Sequence, residues 1–237
     1  MGPTLLFHVA VLLFFGQQAG QQPPAAQEPD VPAVKVIHGR RGPEYVVPGQ
    51  STEAEQRIQK DIWTLEEFSF LPPRLINVDI PGRGRKLVWY MVYRVVNRSD
   101  RPRRFVPLFT LHTDTGRVYR DVVIPKARWV IQATEDPLTP LKDSVTIAGT
   151  IPPSGKEEGV EKAVYGVATW IDVDPKTDAF SIYVRGLSNG FKIIEDPKSG
   201  KRIVLRKELE LKFARPGDEF NPTSKEIRFI EAQWVYR

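Results

Sequence analysis

Cysteine is absent from all 237 residues. Disulfides, thiolate metal sites, cysteine nucleophiles and lipid attachment through an N-terminal cysteine are therefore excluded. Histidine is scarce, with three in the chain. Neither His38 nor His112 has another histidine at ligand spacing, so no histidine-based metal centre is expected. Long apolar runs are also lacking. The stretch from Leu5 to Phe15 is too short to span a bilayer. It reads as the core of a secretory signal over residues 1–20, with Ala19 or Gly20 at the cleavage point. No Lys or Arg precedes it, and Gln17 or Gln18 stands where a second small residue is expected. The competing reading is retention as an N-terminal anchor. Residues 21–32, rich in Gln, Pro and Ala, form a disordered linker.

Acidic residues are outnumbered. The formal charge is +5, and it becomes +7 without residues 1–30, which hold Glu28 and Asp30 but no Lys or Arg. Such a surface is drawn towards anionic polymers or membranes, although solubility alone also accounts for it.

The densest apolar run spans Lys86 to Asn97. Leu87, Trp89, Met91, Tyr93 and Val95 alternate with Val88, Tyr90, Val92, Arg94 and Val96. Both faces are largely apolar and the content is β-branched and aromatic, which predicts an interior strand. The turn 97–102, with Asn97, Ser99, Asp100 and Pro102, ends it. Phe105 to Thr113 reads as the returning strand, interrupted at Pro107, and Arg117 to Val123 as a third.

Before that run, Val34 to His38 and Tyr45 to Val47 are extended. Thr52 and Glu55 have capping-box spacing for a short helix to about Lys60. Ile62 to Phe70 is extended and stops at Pro72-Pro73. Ile76, Val78 and Ile80 alternate as a half-buried strand. After it, Pro125 to Asp136 fits a helix with proline at its first position, or else a strand through 128–131; the helix is favoured. Ser144 to Ile151 reads as a strand, followed by the charged loop 156–161 and a strand from Ala163 to Val173. Phe180, Ile182 and Val184 alternate, Asn189-Gly190 signals a hairpin, and Phe191 to Ile194 pairs back. Leu209, Leu211 and Phe213 alternate until the turn 215–218, and Glu226 to Tyr236 is extended. Short strands between turn signals imply an all-β, immunoglobulin-like β-sandwich with one or two short helices and a C-terminal β extension.

Residues 95–102, Phe109-Thr110-Leu111, the run 114–119, Ile147 to Gly155 and 166–170 together carry a resemblance. In their order they resemble the immunoglobulin-like domain of uncharacterised, predicted-secreted bacterial proteins of the DUF4352-like group, over roughly residues 86–190. The shared features are an Asn-rich turn after a strand, an Asp-Gly hairpin and a Pro-Gly turn before a late strand. The insertion at 125–142 and the C-terminal extension depart from that pattern. The resemblance implies a sandwich and export, and carries over no catalytic residue. The domain boundaries that follow are 1–20 signal, 21–32 linker, 33–82 N-terminal extended segment with a short helix, and 83–237 sandwich with its extension.

Candidate sites are few. Gly186-Leu187-Ser188-Asn189-Gly190 matches the nucleophile-elbow pattern, but no histidine follows Ser188 and a strand comes next, so a tight turn is expected. Asp172, Asp174 and Asp178 can either hold calcium or serve as turn residues. The calcium-loop glycine and distal Glu are missing, and turn chemistry is favoured. Arg98, Arg101, Arg103 and Arg104 crowd one turn as an anion-binding loop, set against a merely solvated one. Asn97-Arg98-Ser99 is formally a glycosylation sequon.

The reading is an exported, non-enzymatic binding or structural protein of the cell envelope, periplasmic or extracellular, with no cofactor, no metal and no catalytic residue. Its partner is an envelope protein or anionic polymer and not nucleic acid, with membrane contact only if the N-terminal segment is retained. The alternative is a hydrolase acting on an envelope polymer through an Asp/Glu pair. N-terminal sequencing of the extracytoplasmic fraction is expected to give a start near residue 20 or 21. Intact Met1 on soluble cytoplasmic protein would refute export.

Overall fold

The computed structural model describes residues 30–155, 161–216 and 226–237. The expected signal, the linker up to residue 29, most of the charged loop 156–161 and the end of the turn 215–218 lie outside them. In chain order the elements are β1 (Lys35–Gly39), β2 (Gly42–Pro48), α1 (Glu53–Ile58), β3 (Glu67–Phe70), β4 (Arg74–Ile80), β5 (Gly84–Val96), β6 (Arg103–Phe105), β7 (Leu108–Thr113) and β8 (Val118–Arg120). Then follow α2 (Pro125–Glu135), β9 (Gly149–Ile151), β10 (Ala163–Ile171), β11 (Ala179–Arg185), β12 (Phe191–Glu195), β13 (Arg202–Ala214) and β14 (Arg228–Tyr236).

Two antiparallel six-stranded sheets form an all-β sandwich. The first runs β1-β2-β3-β5-β10, with β4 also on β5. The second runs β12-β13-β11-β7-β8, with β14 on β13. β6 and β9 make a separate two-stranded ribbon. The expected boundary at 82/83 falls in the β4–β5 turn, and the strands on both sides of it belong to one sheet.

β5 is interior, as its composition predicts. β3 and β4 pair with it on one side and β10 on the other. Its Trp89, Met91, Tyr93 and Val95 face the second sheet and pack with Phe109, Leu111, Phe180, Ile182, Leu209 and Leu211. Its Val88, Tyr90 and Val92 face the other way, against Ala127 and Ile131 of α2. α2 begins with Pro125 in its first turn and buries Ala127, Ile131 and Glu135, four residues apart, on one face. Tyr93 has room for its ring because its neighbour on β10 is Gly166: a Cβ there would lie 2.3 Å from Tyr93 Cζ.

Other expectations need correction. Phe105 to Thr113 does not return along β5. Around Pro107 the chain leaves the β6 ribbon and enters the second sheet as β7, paired with β11 and β8. A proline cannot continue a ladder, and here it marks a change of sheet. Pro72-Pro73 acts less drastically: β4 resumes on the same strand after a bulge, with Phe70 opposite Tyr93 and Arg74 opposite Tyr90. Within Ser144 to Ile151 only Gly149–Ile151 is strand. Asp143 Oδ1 accepts from the Val145 and Thr146 N–H groups and folds 144–147 into a turn. Ile62 to Thr64 forms no ladder beyond a bridge from Thr64 to Ser188.

Asn189-Gly190 is not a hairpin. Val184 stands opposite Leu209 and Phe191 opposite Arg206, so β12 continues along β13 in the same direction as β11. The extra residues between them bulge out to the first layer, where the Leu65 N–H donates to Leu187 O at 2.7 Å. Gly186 turns the chain at φ +96°, and a Cβ on it would meet Val106 O at 2.4 Å.

The free edge of β10 is covered. The Val122 N–H donates to Thr169 O at 2.8 Å, and Lys142 exchanges backbone bonds with Tyr165 and Val167. This removes a template for edge-to-edge association. No helix among the described residues is long and apolar enough to cross a membrane.

Trp89 meets Phe180 edge-on at 5.4 Å and lies under Arg215. Trp89→Ala is expected to cost ~3–5 kcal/mol in denaturant unfolding. A change within ~0.5 kcal/mol, typical of surface sites, would contradict this packing.

Candidate functional site

The four arginines of the 98–104 turn meet different fates. Arg98 Nη2 pairs with Glu67 at 3.1 Å and with Glu161, joining Arg94 in a shared ion-pair network. Burial disfavours its charge, but the bonds to Glu67 and Glu161 outweigh that and hold the guanidinium above its ordinary pKa. Arg103 donates to Ser99 Oγ and stacks over Trp63 at 5.6 Å. Arg101 and Arg104 are exposed, and Arg101 lies 3.8 Å from Asp100. The turn thus offers two outward cations rather than four. The sequon residue Asn97 is fully buried, and its amide donates to the Arg101 and Ile151 carbonyls.

Ser188 is engaged as well. Its hydroxyl donates to Trp63 O at 2.7 Å and accepts from Thr64 Oγ1 and the Gly190 N–H. The three aspartates do not converge. Asp172 pairs with Lys86 at 2.9 Å, Asp174 accepts from the Lys176 N–H and pairs with Arg117, and the Asp178 N–H bonds to Asp114. Among the described residues no group of three or more His, Asp or Glu is arranged to hold a metal ion.

On the outward face of the second sheet Glu208 and Glu210 are buried in a polar layer. Glu208 pairs with Arg185 at 2.6 Å and Arg237 at 3.7 Å. Glu210 accepts from Ser181, Tyr183 and Gln233. Burial pushes the Glu210 carboxyl up, and those three donors more than offset it, leaving it below the ordinary glutamate value.

A groove of about 590 Å³ sets the more distinctive chemistry. One wall is α1, with Thr52, Ala54, Glu55 and Ile58. The other is the stretch 233–236 of β14. Asp30 and Lys192 complete the lining. The expected capping box fixes α1: Thr52 Oγ1 accepts from the Glu55 N–H, and Glu55 Oε2 accepts from the Thr52 N–H. Glu55 therefore points inward, where Lys207 waits on β13. Lys207 is 1% exposed. Its Nζ lies 2.7 Å from Glu55 Oε2, 2.9 Å from Gln50 O and 3.9 Å from Asp30 Oδ2, and 5.3 Å over the Trp234 ring. Tyr236 OH donates to Glu55 Oε1 at 2.5 Å.

Burial pushes the Glu55 carboxyl up, but hydrogen bonds from Lys207, Tyr236 and the Thr52 backbone outweigh it and hold it below the ordinary glutamate value. Burial and the bond to Glu55 raise the Tyr236 phenol well above its usual range. Asp30 and Glu55 reach the same ammonium. Their nearest oxygens are thus roughly 7 Å apart at most, below the ~9.5 Å upper limit of glycosidase carboxyl pairs.

A second cavity of about 240 Å³ lies on the outer face of the first sheet, lined by Arg41, Glu44, Arg94 and Tyr165 among others. Its central cation, Arg94, is shared among Glu44, Glu67 and Glu161.

Sequence reasoning missed the groove. The signal was Lys207 itself, which stands in step with Leu209, Leu211 and Phe213 on the core-facing side of its strand. A lysine at a core position calls for a buried carboxylate partner. No protein-family model, no curated protein and no solved structure matches the chain.

Lys207→Met leaves Glu55 buried without its cation and is expected to cost ~3–5 kcal/mol, while Lys207→Met with Glu55→Gln recovers part of the loss. The folded Glu55 carboxyl lies below its ordinary value, so the unfolded chain takes up the proton first as pH falls. The stabilisation is full above the ordinary glutamate range and is lost as pH drops through the folded value. Denaturant midpoints measured down that acidic window should fall less steeply for Glu55→Gln than for wild type. Parallel profiles would reject the coupling.

Proposed function

We propose that the chain is an exported, non-enzymatic β-sandwich that binds a component of the cell envelope in the groove between α1 and β14. The observation that carries this reading is that both oxygens of Glu55 are taken up within the groove wall, Oε2 by Lys207 and the Thr52 N–H and Oε1 by the Tyr236 hydroxyl. A glycoside hydrolase needs one carboxyl held protonated to serve as general acid. Glu55 is held in the opposite direction by three donors, one of them the buried Lys207. An ionised carboxylate suits the nucleophile or base of such a pair, but with its oxygens taken by Lys207, Thr52 and Tyr236 it braces the groove wall instead. A concave surface with apolar walls and a few placed polar groups is the usual form of a ligand site. Ile58 and Ala54 supply apolar wall, and Asp30, Thr52 and Gln233 supply polar groups.

Export is supported by the signal-like segment 1–20 and by the resemblance of residues 86–190 to immunoglobulin-like domains of secreted bacterial proteins. The net positive charge favours an anionic envelope polymer as partner, with exposed Arg101 and Arg104 as auxiliary contacts.

The second reading, a hydrolase of an envelope polymer, draws on the convergence of Asp30 and Glu55 on the groove. The two are separated by one set of assays on purified envelope polymers. Ala54 is exposed, so Ala54→Trp can fill the groove while leaving stability within ~0.5 kcal/mol of wild type. It is expected to abolish binding, whereas wild type binds and releases no reducing ends over time. Equal binding by both proteins would remove the groove as the site. Time-dependent release that disappears in Glu55→Gln would replace the binding reading with the hydrolase.

A further inference from the structure

The β12–β13 ribbon exposes aliphatic side chains on both of its faces. β13 pairs with β11 and β14 through its second half and Arg206 still exchanges backbone bonds with Arg237, but Arg202 to Leu205 pair with β12 alone. The register sets Ile193 opposite Val204 and Ile194 opposite Ile203. Neighbouring residues on a strand point to opposite faces. One apolar pair therefore lies on each side of the ribbon. Ile193 and Val204 are each 53% exposed, and Ile194 and Ile203 are 43% and 41% exposed. The C-cap of α1 reaches only the base, where Gln59 Oε1 accepts from the Phe191 N–H.

A two-stranded ribbon with bare aliphatic pairs on both faces is poorly matched to water. A flat protein partner would cover one face and leave the other wet. Immersion in a lipid interface covers both. The charge points the same way. Residues 191–206 hold five cations against Glu195 and Asp196; Lys192 lies over the Tyr236 ring and lines the groove, which leaves Lys198, Lys201, Arg202 and Arg206 to the ribbon. The turn at 196–200 is polar and tightly self-bonded, with Asp196 accepting from the Lys198 N–H and Ser199. It is unsuited to entering hydrocarbon, so the ribbon sits edge-on within the interface, its turn among the headgroups and both faces against lipid.

From these observations we infer that the β12–β13 ribbon is an interfacial anchor for an anionic lipid surface, independent of the groove and of the N-terminal segment. The aliphatic pairs enter the acyl boundary, and the cations meet lipid phosphates.

The test is co-sedimentation of the full-length chain with vesicles of phosphatidylcholine, alone or mixed with phosphatidylglycerol. Wild type is expected to bind the mixed vesicles, more weakly at higher salt, and to bind phosphatidylcholine poorly. Ile193→Ser with Val204→Ser, and separately Ile194→Ser with Ile203→Ser, should each weaken binding about tenfold or more, since each side chain has about half its surface left to bury. Lys201→Ser with Arg202→Ser should weaken it about fivefold per cation removed. All four aliphatic positions are exposed, so thermal unfolding should be unchanged and serves as the control. The inference is overturned if wild type ignores anionic vesicles, or if every variant binds as wild type does, which would assign binding to the N-terminal segment. It is equally overturned if only one aliphatic pair matters, or if those pairs abolish a dimer seen by size-exclusion chromatography. Either result would make the ribbon a protein-docking face.

Discussion

Strand β5 carries apolar side chains on both faces, so it is stable only with a layer on each. The second sheet provides one layer and α2 the other. Much of the remaining architecture follows. α2 must be held against the sheet, and Glu135 does this by accepting from Arg74 on β4 and from the Tyr90 hydroxyl on β5, both at 2.7 Å. Burial and the bond to Glu135 keep that phenol protonated by raising its pKa. The segments flanking α2 then cross the open edge of β10 at Val122 and Lys142. The segment 122–142 is thus also the cover of the first sheet's β10 edge.

A second constraint is that buried charge must be matched. Lys207 meets Glu55, Glu208 meets Arg185 and Arg237, and Arg94 meets three glutamates. Isolated ions in a protein interior cost several kcal/mol each even after relaxation. The matching also fixes geometry. Lys207 ties β13 to α1 and to the Gln50 carbonyl, so the groove walls are held apart by an ionic strut rather than by loop stiffness alone.

Much of the fold was legible because alternation and capping are local. Phe180, Ile182 and Val184, and likewise Leu209, Leu211 and Phe213, are buried as their spacing implies. The Thr52–Glu55 box and the proline at the start of α2 mark both helices. What was illegible depends on partners distant in sequence. Nothing near Pro107 tells that the chain changes sheets there. Asn189-Gly190 has hairpin chemistry, yet Trp63 and Asp61, more than a hundred residues earlier, take up the Asn189 side chain. Of the candidate sites, the arginine turn was visible as composition, but the loss of Arg98 to Glu67 and Glu161 was not. Lys207 was visible in its alternation and went unread because its neighbours Arg206 and Glu208 made the position look like solvated surface.

The two flanks of β5 differ in how far the chain must travel to close them. β4 meets β5 through a turn of three residues, Pro81, Gly82 and Arg83. On the other flank Val96 waits for Ala163, and α2 has to be threaded between. Closing a long loop costs more entropy than closing a short one, and chains rich in distant pairings fold slowly. The β4–β5 hairpin can thus form early with one apolar edge unpaired, while β10 arrives late. Until it does, a half-made sheet lacking its cover is the species most exposed to wrong association, and the speed of the α2 crossover governs how long that exposure lasts.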